Sequence, residues 1–432
     1  MKASHPEDEE ETLHPVAALI QEAAAGNNDT LFDHSFSNNP LVASPAQAAR
    51  YLVARQAFSI GFGKSHPFYF SDSTMIRGYT VLATGASLFE TLMLNLVIYN
   101  KQTPVVVPKE GDDLPAWERA QLEQPDKNGT RVRGYLDYLT WQSRRIHLIA
   151  EGDPPMVRHC QLLQNLKLPD PPPLDPFKCY VTNKEEGLKP RGIDPAKALW
   201  RDSHTLFQQV DASIKRPDAF NLLARIENAR RDGEIHARPG YFFNIYGLST
   251  EAGKAAKVTL WSCERLPLPL AYLEDQILTE KLHEALLLAE SVCKKLMTSI
   301  RALAKRLLSP ESDKPNSRQP DETKDVGPLA RSFNAEEFFW SQLEAPFKQL
   351  LVALPNDPRT DEHDDVYYGE NELPRWARML HDAAQSAFNV VTRSLDTSSR
   401  SLKAVAAVER QFRAGLSAAL SDYFQTSTGG EQ

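Results

Sequence analysis

The spacing of apolar positions divides the chain near residue 268. Beyond that point apolar residues recur every three or four positions. One run carries Leu282, Leu286, Ala289, Cys293, Leu296, Ile300, Leu303 and Leu307, and a second carries Phe339, Leu343, Phe347, Leu350 and Leu354. A third shows Trp376, Leu380, Ala383, Ala387, Val391 and Leu395, and a fourth Leu402, Val405, Phe412, Leu416 and Leu420. Each stripe marks the buried face of an amphipathic helix, and four of them joined by polar segments predict a four-helix bundle over residues 269–432. The Pro/Ser/Asp-rich stretch at 309–328 predicts a flexible loop between the first two.

Before residue 268 the pattern is mixed. Short runs at Phe68–Phe70, Tyr79–Leu82, Val105–Val107, Arg145–Ile149 and Lys257–Trp261 predict strands. Helical spacing predicts helices over Ala46–Ser59, Ser87–Tyr99, Ala196–Val210 and Ala219–Arg231. The strands do not alternate regularly with helices, so the expected class is α+β. A mixed globular domain at 14–268 precedes the bundle, and residues 1–13 form an acidic tail. Pro169, Pro171, Pro172, Pro173 and Pro176 predict an extended loop between Leu168 and Phe177, because proline continues neither a helix nor a central strand.

Composition narrows the setting. With 432 residues, 41% hydrophobic and 25% charged, the chain has the makeup of a globular protein of two or three domains. No apolar run approaches the ~20 residues needed to cross a bilayer, and the acidic start is unlike a secretory leader. The four cysteines, Cys160, Cys179, Cys263 and Cys293, never form a CxxC pair, which argues against a zinc ribbon or disulfide scaffold and for a cytoplasmic protein. The net charge is 49 − 57 = −8, but it is unevenly spread. Lys281–Arg306 holds six Lys/Arg against two Glu, whereas Asn356–Glu372 holds one Arg against seven acids. Basic helices between acidic loops permit a nucleic-acid partner on a net-negative protein.

Motifs for catalysis are sparse. Gly61-Phe62-Gly63-Lys64 would let a backbone approach a ligand and a lysine meet a phosphate, but it lacks the Walker spacing; a helix C-cap followed by a turn is the commoner reading of such a stretch. The block Asp361-Glu362-His363-Asp364-Asp365 supplies carboxylates for a stand-alone metal-dependent enzyme, although adjacent residues diverge and such blocks are usually solvated loops. None of the eleven histidines forms HExxH or a Cys/His pattern with zinc spacing, and no GxSxG elbow is present. No cofactor is called for. On a helix, Lys294, Arg301 and Lys305 share a narrow arc opposite the apolar stripe. Arg393, Arg400, Lys403 and Arg410 do likewise if helical phase continues through Thr397–Ser399. Such stripes can track a phosphodiester backbone or simply face solvent.

Blocks spread along the chain, in order, carry a resemblance. They include Ala25–His34, Ser44–Arg50, Gln56–Gly63, Arg77-Gly78, Leu88–Asn95, Pro115–Arg119, Leu139–Arg145, Leu199–Asp202, Lys254–Trp261, Arg265–Pro269 and Leu343–Phe347. Together they resemble the large-subunit (CasA) family of the type I-E CRISPR Cascade surveillance complex. The resemblance implies a non-catalytic subunit that reads the short protospacer-adjacent motif (PAM) in target duplex DNA, promotes R-loop nucleation and helps hold the displaced strand for antiviral defence, while guide pairing reads the sequence.

By position, the family's glycine loop falls on Gly61, Phe62, Gly63 and Lys64, and its lysine finger on Lys167, with Lys178 as the other option through the proline run. Its strand wedge falls on Ser249, Thr250 and Glu251, where glutamine is the familiar residue at the last position. The loop facing the guide handle and PAM falls on Asn27, Asn28, Phe32 and His34. Lys294, Arg301, Lys305, Arg393, Arg400 and Lys403 become candidates for the displaced-strand path. Implied partners are the guide RNA's 5′ handle, target duplex and displaced strand, and the small, backbone and handle-binding Cascade subunits. A helicase-nuclease, or a nuclease domain on another subunit, would cut the target. The front of the chain also implies a short variant, with no N-terminal subdomain ahead of the guide-handle loop.

Overall fold

The computed structural model describes residues 13–20, 23, 41–61, 63–97, 111–183, 187–207, 214–251, 257–309, 319–360 and 366–424. Two compact units emerge. One comprises Met1–Leu199, Val210–Leu222 and Phe243–Arg265, and the other Trp200–Gln209, Leu223–Phe242 and Leu266–Gln432.

The first unit is built on small antiparallel sheets. Strand β1 (Leu13–Pro15) and strand β3 (Arg144–Glu151) flank β4 (Met156–Gln164), in the order β1-β4-β3. The β3–β4 register sets Arg144 opposite Gln164. Alternation along β4 turns Cys160 and Leu162 onto a core with Val16, Leu19, Ala43 and Ala48, and a register irregularity before His159 brings Val157 to the same side. Ala48 comes from helix α1 (Pro45–Ala57), whose start is a capping box: Ser44 Oγ accepts from Gln47 N while the Gln47 side chain accepts from Ser44 N. Strand β2 (Thr80–Thr84) joins the long strands β8 (Gly240–Glu251) and β9 (Lys257–Pro269) in the order β2-β8-β9. A third sheet sets β5 (Tyr180–Asn183) between β6 (Gly187–Pro190) and β7 (Ile214–Lys215).

Three local expectations change here. Phe68–Phe70 is irregular loop, since the neighbouring Ser71 N–H and C=O are taken by the side chains of Gln164 and Arg144. Helix α2 (Leu88–Leu94) stops short of Tyr99 because Asn95 turns its amide onto Ala83, accepting from Ala83 N at 3.0 Å and donating to Ala83 O at 2.7 Å. A short helix α3 (Tyr135–Leu139) follows, and the proline-rich segment after Leu168 contains neither helix nor strand, as expected, with bends at Asp170 and Pro171. Among the described residues of the run 196–210, which end at Phe207, there are a 3-10 turn, Leu199–Asp202, and a short helix α4 (His204–Phe207). The Asp194 carboxylate has captured Ala196 N in an Asx turn, which competes with helix initiation. Val105–Val107 lies outside the described residues.

Helix α5 (Asp218–Arg231) divides its residues between the two units. Near its end the buried Glu227 accepts from Arg230 and Arg231 at 2.7–2.8 Å. Burial opposes ionisation of Glu227, but those bonds win and hold its carboxyl below the ordinary 4.5. A depressed carboxylate stabilises the fold above its unfolded pKa and loses that contribution as pH falls through the folded value. Glu227→Gln is therefore expected to flatten the fall in melting temperature below pH 4.5, measured by calorimetry from pH 7 to pH 3; an unchanged acid limb would exclude this role.

The second unit is helical. Its longest element, α6 (Gln276–Leu308), starts where the Asp275 side chain accepts from Leu278 N at 3.0 Å. The expected loop at 309–328 is partly helical: Glu322–Val326 forms a π turn capped by Asp321, continuing into α7 (Gly327–Ser332), whose Pro328 sits in the first turn where proline is tolerated. The expected second bundle helix is two pieces, α8 (Ala335–Ser341) and α9 (Glu344–Ala353). Pro346 explains the break, since it lacks an N–H and its ring crowds the carbonyl one turn earlier. A hairpin of β10 (Pro358–Thr360) and β11 (Val366–Tyr368) leads to α10 (Glu372–Ser394) and α11 (Ser399–Phe424). The core of this unit is aromatic. Trp200 stacks on Phe347 at 4.6 Å, Phe388 stacks on Phe412 at 4.5 Å, and Trp376 Nε1 donates to Ala285 O. Helical phase does not continue from Arg393 to Arg410, because Leu395 is extended and α11 restarts at Ser399.

Candidate nucleic-acid interface

The residues from Ile60 to Ser73 form a loop closed at its base, where Ser73 N donates to Ser59 O and Met75 N to Ala57 O. Gly61 is required sterically: a Cβ there would lie 2.5 Å from Asp72 N and 2.6 Å from the Ser71 carbonyl carbon. Its N–H donates to Asp72 Oδ1 at 2.7 Å, and the other Asp72 oxygen takes Arg77 Nε at 2.6 Å. Gly63 is required conformationally, with φ of 96° and open space around it. Phe62 lies outside the described residues, and Lys64 is exposed.

Beneath the loop lies a polar cluster that sequence reasoning missed. The Arg144 side chain is 1% exposed. Its Nη2 donates to Ile60 O at 3.2 Å and Ser71 O at 2.7 Å, and its Nη1 to Ser143 O and Gln164 Oε1. The Phe70 ring covers the guanidinium at 4.9 Å. Burial, helped by the nearby Arg55 cation and opposed by Asp72, pulls Arg144 down to about 9, so it keeps its charge at neutral pH. Gln56 brackets the Arg144 main chain, accepting from its N and donating to its O, while Ser143 Oγ donates to Gln56 O. A signal existed: alternation along β3 puts Arg144 on the same face as Ile146 and Leu148, which pack on the core.

The glycine loop and the Lys167 segment meet at Gln164. Gln164 N donates to Ser65 Oγ at 2.7 Å, and its side chain joins Ser71 in both directions. Three residues on, Lys167 is partly exposed and its ammonium rests on Lys127 O at 3.1 Å. Lys178 is different: it is buried, with its ammonium on Thr74 O at 2.6 Å, and burial lowers its pKa. It is committed to the fold, whereas Lys167 is partly exposed.

Ser249 and Thr250 lie at the end of β8, Ser249 half-buried and Thr250 exposed; of Glu251 only the backbone is described. The Asn27, Asn28, Phe32 and His34 positions lie outside the described residues, as does the carboxylate block at 361–365. Among the described residues no group of three or more His, Cys, Asp or Glu could hold a metal ion, and no helix is long and apolar enough to cross a membrane.

The helical cations divide into two sets. Lys294, Arg301, Arg393 and Lys403 are exposed. Lys305 is exposed as well but paired with Glu322 at 2.7 Å, and the half-buried Arg400 donates to Ser309 O.

Comparison with known proteins completes the picture. The model of the family described as CRISPR-associated protein Cse1 matches residues 3–387. The CRISPR-associated protein CasA/Cse1 of Thermus thermophilus is 29% identical over 414 residues, spanning 93% of this chain and 75% of that protein. The crystal structure of Cse1 from Acidimicrobium ferrooxidans superposes with a TM-score of 0.71 at 21% identity, covering 95% of this chain and 77% of that one. A chain of a CRISPR RNA-guided surveillance complex gives 0.67 at 18% identity, covering 94% and 76%. At such identities the solved structures establish the fold.

Proposed function

Because the chain belongs to the CRISPR-associated Cse1 (CasA) family and is thereby a Cascade subunit, we propose that it is the non-catalytic part of the complex that recognises the PAM. The observation that carries this reading is the meeting of two parts at Gln164: a closed loop presenting Gly63 and Lys64 outward, and the segment leading to Lys167. A minor-groove reader needs close backbone approach and flexible cations, and both are offered side by side. In this reading Ser249, Thr250 and Glu251 part the first base pair. The loop of Asn27, Asn28, Phe32 and His34 meets the guide handle, and the exposed helical cations hold the displaced strand in the cytoplasm. Cutting falls to a helicase-nuclease or to a nuclease domain on another subunit.

The test is to assemble the complex with guide RNA, with and without this chain, and titrate guide-matched duplexes from a randomised-PAM library. PAM-selective binding and strand opening are expected only with the chain present; equal binding without it would overturn the proposal. Within that assay, Lys64→Ala is expected to weaken binding and to flatten the slope of log affinity against log salt by about 0.9, one phosphate's worth. Replacing Lys294, Arg301, Arg393 and Lys403 together by Gln is expected to flatten the slope for the displaced strand by about 0.7 for each phosphate no longer neutralised. Lys305→Gln is expected to do less, since its charge is already paired with Glu322.

A further inference from the structure

We infer that Arg144 is the positioning residue of the PAM-reading loop, an inference that rests on the function proposed above. The guanidinium touches nothing a DNA duplex could reach. Instead, one nitrogen, Nη2, serves both loop ends, donating to Ile60 O just before Gly61 and to Ser71 O on the returning limb. The other, Nη1, reaches Gln164 Oε1, and Gln164 in turn fixes Ser65 and Ser71. One side chain thus couples the outgoing limb, the returning limb and the strand end that leads to Lys167.

Ile60 and Ser71 lie 84 and 73 positions from Arg144, so the guanidinium adds a long-range tie to the local bonds from Gly61 N to Asp72 and from Ser73 N to Ser59 O. Both are backbone carbonyls in part-buried positions, and each would lose this donor if the guanidinium left. Lysine cannot substitute. Its ammonium is a single point on a shorter reach, and it cannot span the fork that Ile60, Ser71, Ser143 and Gln164 present. The support continues behind Arg144, where the Gln56 amide pairs with its main chain as a neighbouring strand would.

The experiment uses the full complex with guide RNA and two probes. One is a guide-matched duplex with the best PAM from the randomised library, and the other is the same duplex with that motif scrambled. Arg144→Lys is expected to cut the affinity ratio between the probes by roughly tenfold or more, while affinity for the scrambled duplex stays within about twofold. A purely structural residue would lower both affinities together or neither. Gln164→Met, which keeps volume but removes the acceptor, is expected to repeat the selective loss and serves where Arg144→Lys fails to assemble. A wild-type ratio in either assembled variant overturns the inference, as does failure of both to assemble, because the cluster would then serve the fold as a whole. If the wild-type complex shows no preference between the probes, it is the proposed function that falls.

Discussion

Gly61→Ala is expected to abolish PAM-selective binding and to destabilise the chain by about 2–3 kcal/mol, whereas Gly63→Ala costs about 1 kcal/mol and leaves weaker but measurable selectivity. The contrast follows from what surrounds each glycine. A methyl group at Gly61 meets Asp72 N at 2.5 Å, and the Ser71 carbonyl carbon and Cα at 2.6 and 2.8 Å. All three are backbone atoms of the returning limb, so relief requires moving that limb away from Asp72 and from the Arg144 fork. At Gly63 the space is empty and the cost is conformational alone, set by a φ of 96°. Denaturant unfolding of the isolated variants, beside the probe ratio of their complexes, measures both effects. Equal behaviour of the two variants would mean that close approach of the limbs does not hold the loop in shape.

Trp376→Ala is expected to produce the largest loss of stability in the helical unit, about 3–5 kcal/mol. The indole is 1% exposed, packs edge-on to Phe347 at 6.3 Å, and donates its N–H to Ala285 O of α6 at 2.9 Å. Truncation therefore opens a cavity between helices and removes a hydrogen bond at once. Trp376→Phe keeps most of the volume and is expected to cost about 1–2 kcal/mol. Leu402→Ala, at a position 58% exposed on α11, is the control and should stay within about 0.5 kcal/mol. Urea unfolding followed by circular dichroism orders the three, and a Trp376→Ala loss no larger than the control would contradict the packing described.

The same contrast between local and distant causes explains what the sequence disclosed. The stripes of α6, α10 and α11 repeat over many turns, and the helices appear where they place them. The first turns of α11, however, bury Ser401, Ala404 and Val408 in place of the expected Leu402, which is exposed, and Val405, which is only half-buried. Ser44, Pro45 and Gln47 likewise announce the start of α1 within four residues. Errors arose where one residue overrules its neighbours: Asp194 capturing Ala196 N, Asn95 turning back on Ala83, and Pro346 splitting a stripe that otherwise reads as one helix.

The site was legible as a list of parts but not as a mechanism for holding them. Gly61, Gly63 and Lys64 stand together in the chain, and the family resemblance pointed to Lys167. Nothing in the spacing links either to Arg144 or Gln164, whose bonds to the loop join residues about 70 to 100 positions apart. Alternation alone put Arg144 inward, and an inward arginine is the kind of exception to expect where something must be held. Burial also separates Lys167 from Lys178, a distinction that two lysines flanking a proline-rich loop do not carry in their sequence.

All four groups that receive the Arg144 guanidinium are neutral, three peptide carbonyls and one amide. This gives the interface two cations that answer to different solvents. Lys64 stands in bulk water, where the screening length shrinks from ~30 Å in dilute buffer to ~8 Å at physiological ionic strength. Arg144 is beyond the reach of counterions, and its dipolar partners do not dissociate with added salt or with mild acid. In the proposed role, changes in the ionic medium are therefore expected to loosen the grip of Lys64 on phosphate while the shape of the loop stays as folded.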